Sequence, residues 1–160
     1  MRSYQVFASM SPEQAVGLLR ALAKESPAAF ANAVAVAAVA LKSRPVYLQK
    51  QPFERRAEHV RRALSRVAAN PMASEILAAY FLECRKPLLV EWLDTVGLAH
   101  EDGVLSADVP QQPKPAELAK AIDTFLGAGD DADRPLLLRA FAAQDSIDWP
   151  DLEARLAALG

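Results

Sequence analysis

The chain has one cysteine and two histidines among 160 residues. A single Cys84 leaves no internal disulfide, and two histidines beside it do not make a zinc site of ordinary ligand spacing. The six glycines sit at turns and helix ends. None belongs to a Walker-type loop, a glycine-rich turn after a strand, or a G-x-S-x-G elbow. Aromatic residues are only 7% of the chain, and much of the apolar content is alanine. That mix favours helices packed through small side chains and disfavours strands. Long apolar runs are also missing. The longest, Ala28 to Leu41, is interrupted by Asn32. Its fourteen residues span about 21 Å as a helix, short of the roughly 30 Å of a bilayer core. The start, Met1-Arg2-Ser3-Tyr4-Gln5, has neither an apolar run nor a small-residue cleavage site. No signal peptide, no membrane span and a reducing, cytoplasmic location are expected.

Proline, by contrast, is plentiful. Eleven prolines punctuate the chain, most of them where a helix begins, since the missing N–H is unpaired in the first turn anyway. Ser11-Pro12-Glu13-Gln14 carries a capping-box pattern and opens a first helix to about Lys24. Ser26-Pro27 opens a second, Ala28 to Lys42, apolar almost all round and expected to be buried on most faces. After a connection over Ser43 to Gln51, Pro52 opens a third helix to about Ala69. Asn70-Pro71 opens a fourth to about Arg85, whose apolar stretch Ile76 to Leu82 belongs at the centre of the fold. A fifth, Leu88 to Val96, ends at Gly97. Asp102-Gly103 marks a tight turn with short extended flanks within the stretch Leu98 to Lys114. Three further helices follow: Ala116 to Leu126, Pro135 to Ala143, and Asp151 to Leu159.

The expected fold is therefore all-α, a bundle or short helical array of seven to eight helices. It fits one domain, residues 1–160, with a lobe at about 11–97, a proline-rich loop at 98–114 and a second lobe at about 115–160. Lys86-Pro87-Leu88-Leu89 echoes Arg134-Pro135-Leu136-Leu137 at an offset of 48 residues, as in helical-pair repeats or simply as two helices opened alike.

Charge divides along the chain. Residues 1–90 hold thirteen of the eighteen Lys/Arg and six of the twenty Asp/Glu, so the net charge of −2 conceals a basic first half and an acidic second. Opposed potentials of this kind steer association. The third expected helix carries the sharpest pattern. Phe53, Ala57, Val60, Leu64 and Val67 form an apolar stripe at helical spacing, and Arg55, His59, Arg62 and Arg66 repeat on the opposite face. Arg56 and Arg61 flank that face, Glu58 is placed to pair with Arg62 at i,i+4, and Lys42, Arg44 and Lys50 extend it. Such a ridge is a solvated helix face, a dock for an acidic protein or the acidic half of another copy, or a phosphate site for nucleic acid or a lipid headgroup. The last reading is weakened by an acidic pI near 5.7 and by few nearby aromatics, Tyr47 and Phe53.

In the acidic half, Asp130, Asp131 and Asp133 lack the alternating ligands of a calcium loop and read as helix caps. His100-Glu101-Asp102 are consecutive and do not converge on one ion. No metal and no cofactor are expected. Cys84 reads as a small buried hydrophobe, and Trp92 and Trp149 as core residues. No catalytic constellation is visible. The expected function is a non-enzymatic helical interaction module (adaptor, accessory subunit or self-assembling protein) using Arg55, Arg56, His59, Arg61, Arg62 and Arg66 together with the acidic C-terminal lobe. The alternative is an anion-binding module for nucleic acid or a phosphorylated ligand on the same ridge. A small-ligand pocket between the second and fourth helices is a third reading.

Overall fold

The computed structural model describes residues 1–160 and is helical apart from one two-stranded hairpin. Ten α-helices are present, so the expected seven to eight is too few. The eight expected helices all form. The two additional ones are short: α1, Ser3–Ser9, and α4, Pro45–Gln49. Neither is long enough to show a periodic apolar pattern, and each is held by one or two buried apolar side chains, Val6 and Phe7 in α1 and Leu48 in α4. No helix is long and apolar enough to cross a membrane.

The chain divides into two compact units, Arg2–Cys84 and Arg85–Gly160, with Met1 grouped with the second. In the first unit, Ser11 caps α2 (Pro12–Glu25), its Oγ accepting the Gln14 N–H at 3.1 Å. Helix α3 (Pro27–Ala40) packs against α2 and against α5 (Phe53–Leu64). Its inner face, Phe30, Ala33, Val34, Ala37 and Ala38, is buried. The expectation that α3 is buried on most faces is not met: Ala28, Ala31, Ala35 and Val39 face solvent. Alanine raises the apolar content of a helix without supplying a side chain large enough to require cover.

The third expected helix also ends early. It stops at Leu64 as α5, Arg66 is extended, and a 3₁₀ turn, Val67–Ala69, follows. Ser65 Oγ donates to the Arg61 carbonyl at 2.7 Å, one of the local bonds by which serine competes with helix continuation. Val67 consequently leaves the apolar stripe and is 69% exposed. Helix α6 (Asn70–Ala79) runs into a π-helical turn, Tyr80–Cys84. Its Ile76, Leu77, Tyr80 and Phe81 are buried, whereas Cys84, expected in the core, is half-buried. Partial burial pushes the Cys84 thiol up, and the carboxylates of Glu25 and Glu83 add to it. A protonated thiol is a poor nucleophile.

The second unit is organised around aromatic rings. Helices α7 (Lys86–Val96), α8 (Pro115–Gly127), α9 (Asp133–Ala142) and α10 (Pro150–Leu159) surround them. Trp92 meets Phe125 at 5.4 Å and Phe141 at 5.8 Å, and Phe141 meets Trp149 at 5.3 Å between centroids. Trp149 Nε1 donates to the Pro110 carbonyl at 2.9 Å, which ties the proline-rich stretch to this core. Arg134 forms a fork with Glu91 at 2.7 and 3.1 Å and also donates to the Phe125 carbonyl at 2.9 Å. Arg85 pairs with Asp131 and Asp133. Asp131 Oδ1 accepts the Asp133 N–H at 2.9 Å just before α9, but the N-cap position is Ala132, so the aspartates do not fill the cap expected of them.

The hairpin pairs His100 with Leu105 and Glu101 with Val104. Its turn residues Asp102 and Gly103 have φ of 51° and 90°, the positive values a two-residue primed turn requires. The Gly103 N–H donates to His100 Nδ1 at 3.1 Å. Nδ1 is therefore the acceptor, and Nε2 carries the proton toward Asp94 Oδ1 at 2.7 Å. No group of three or more His, Cys, Asp or Glu side chains is arranged to hold a metal ion.

Candidate interaction surface

The most patterned surface in the first unit is built on α5. Ala57, Val60, Ala63 and Leu64 turn one side of the helix into the core. The six ridge residues do not share one fate. Arg55, Arg62 and Arg66 reach solvent, whereas Arg56, His59 and Arg61 are half-buried.

Arg61 is folded onto its own helix. Its Nε and Nη2 bond Glu58 at 2.9 and 2.8 Å, and Arg62 Nε joins the same carboxylate at 3.2 Å. The Arg61 hydrogen bond is the main cause holding the Glu58 carboxyl below its ordinary value, with Arg62 adding to it. Glu58 thus neutralises more of the ridge than its single expected i,i+4 pair. Arg56 lies over two rings, 5.3 Å from the centroid of Phe53 and 5.9 Å from that of Phe30. Its Nε and His59 Nδ1 are buried without a hydrogen-bond partner. Stacking on aromatic faces is the interaction left to such a guanidinium.

Two neighbours escape a reading of the helix alone. Arg20 of α2 sits 4.6 Å from the Phe53 centroid and bonds Glu54 at 2.9 Å. Arg66 Nη1 donates to the Ala40 carbonyl at 3.0 Å and so reaches the end of α3. No sequence spacing links residues 26 positions apart; only the packing of α3 on α5 does.

Beside Arg66 lies an open groove of about 460 Å³. Val36, Val39 and Ala40 of α3 form one wall, and Ala63, Ala68 and Ala69 the other. It lies between α3 and the end of α5 and, being open, differs from the closed ligand pocket expected between the second and fourth helices.

No protein-family model matches the chain, and no curated protein and no solved structure is significantly similar to it.

Proposed function

We propose that the chain is a non-enzymatic interaction module of the reducing, cytoplasmic interior, an adaptor, accessory subunit or self-assembling protein. One observation carries this reading: the charge is sorted between the two compact units. Residues 2–84 hold eleven Lys/Arg and six Asp/Glu, a balance of +5; residues 85–160 hold seven and fourteen, a balance of −7. Opposed surfaces of this size raise encounter rates and select partners by potential. The solvent-facing Arg55, Arg62 and Arg66 supply the basic contact, with Arg56, His59 and Arg61 bracing the helix that presents them. Replacing Arg55, Arg62 and Arg66 by glutamate is expected to abolish capture of acidic partners in a pull-down with the full chain. Unchanged capture of every partner refutes the reading.

The exposed trio also suits a second reading, anion binding, because a phosphate requires cations left open to solvent. Binding of a phosphorylated ligand or nucleic acid would then weaken steeply with salt, and the log–log slope would shrink when one arginine is removed.

A further inference from the structure

Among the exposed large apolar residues, two pairs have opposite electrical surroundings. Val39, 80% exposed, lines the groove, and Val67 lies in the 3₁₀ turn between the lining residues Arg66 and Ala68. Both groove walls come from stretches without a single acidic residue, 26–53 and 59–74, which carry Lys42, Arg62 and Arg66. The groove is therefore lined by apolar side chains, with Arg66 as its one charged lining residue.

The second group is the inverse. Val104 and Val109 are 61% and 63% exposed. They lie in the stretch 87–113, which contains five Asp/Glu and no Lys/Arg. Both valines are carried on restrained backbone. The hairpin holding Val104 is fixed by the His100 contacts to Gly103 and Asp94. Val109 immediately precedes Pro110, whose carbonyl is held by Trp149. Restrained apolar anchors lose little conformational freedom on docking.

We propose that this groove receives the Val104–Val109 segment of a second copy of the chain. The inference rests on the interaction-module reading and names the partner. Charge complementarity selects the occupant. A groove-to-groove contact between two copies would bring like charges together, with no acidic residue in either wall. The acidic segment brings Glu101 and Asp108 toward Arg66, the charged residue of the groove lining, while its valines cover Val36 and Val39. The contact is heterologous, one patch on one copy meeting a different patch on the next, so it closes as a reciprocal dimer or ring, or propagates.

The test uses the full chain in sedimentation equilibrium, with two variants: Val39→Glu, which spoils the groove, and the double substitution Val104→Lys, Val109→Lys, which spoils the segment. All three positions face solvent, so the helical circular dichroism of each variant is expected to match the parent. The parent is expected to self-associate, less strongly at about 500 mM than at about 50 mM salt as the screening length shortens. Each variant alone is expected to associate about tenfold or more weakly, as when an interface anchor is lost. An equimolar mixture of the two is expected to form a 1:1 heterodimer, because one intact groove then meets one intact segment. A parent that stays monomeric at near-millimolar concentration overturns the proposal. So does a mixture that stays monomeric while the parent associates. A monomeric parent that nevertheless loses an external partner on reversal of Arg55, Arg62 and Arg66 overturns this inference and leaves the interaction-module reading standing.

Discussion

The two units reach stability by different means. In residues 2–84 much of the core is small: Ala15, Ala33, Ala37, Ala57, Ala63 and Ala73 let helices approach, with leucines between them and Phe7, Phe30, Tyr80 and Phe81 buried apart from any tryptophan. Its arginines end in solvent, on rings, on a carboxylate of their own helix or, as with Arg20 to Glu54 and Arg66 to the Ala40 carbonyl, on a neighbouring helix. In residues 85–160 a run of four aromatic rings fills the centre, and guanidinium groups tie separate helices together, Arg134 to Glu91 and Arg85 to Asp131. A basic unit and an acidic unit differ most in what they leave available. The first presents a surplus of cations; the second pairs Arg85, Lys86, Arg134 and Arg155 with its own carboxylates and still holds a surplus of carboxylates.

Substitutions should separate these modes. The largest effect is expected for Trp92→Ala, which empties the centre of the ring cluster and should cost about 3–5 kcal/mol in a urea titration followed by circular dichroism. Arg134→Met comes next. It removes a fork to Glu91 and a bond to the Phe125 carbonyl, a loss of about 2 kcal/mol by the same titration. If Arg61→Met, whose fork stays within one helix, costs as much, the contrast drawn between the units fails.

Acid sharpens the comparison further. Glu58 in the first unit and Asp131 in the second both have folded-state values below the ordinary carboxylate range. The main causes are the Arg61 hydrogen bond for Glu58 and the Asp133 backbone N–H for Asp131. A depressed folded value contributes stability that is complete above the unfolded value and disappears as pH falls through the folded one. Both contributions should therefore fade below about pH 4. Glu58→Gln should flatten the acid limb of a stability–pH curve while changing neutral stability by about 0.5 kcal/mol, since the pair is partly exposed. The smallest effect is expected for Arg55→Glu, within about 0.5 kcal/mol by thermal melting. A larger loss would place Arg55 in the fold rather than on a docking face.

Much of this architecture was legible in the sequence because proline wrote it there. Pro12, Pro27, Pro71, Pro87, Pro115 and Pro150 each stand at the start of an observed helix, as the restricted φ and missing donor dictate. Pro45 starts one too, but five residues leave no periodicity to recognise. The ridge was legible as a pattern and only partly as a surface. Spacing places Arg56 and Arg61 on the flanks; it cannot reveal that Phe30, from a different helix, lies within reach of Arg56. Val67 was misplaced because the apolar count continued past Ser65, where the backbone did not. The groove had no sequence signal, since alanines and valines at helical spacing describe a buried face and an open one equally well.

The ring cluster has an optical consequence. Trp92 and Trp149 are the only tryptophans in the chain, and both are buried in residues 85–160. Indole emission is therefore a natural label for one unit, whereas the far-ultraviolet signal arises from helices in both. Following the two signals through a single denaturation reads the acidic unit separately from the whole. Coincident midpoints would identify one cooperative folding unit, and an emission shift that precedes or trails the helical signal would identify two, without introducing a dye or a substitution.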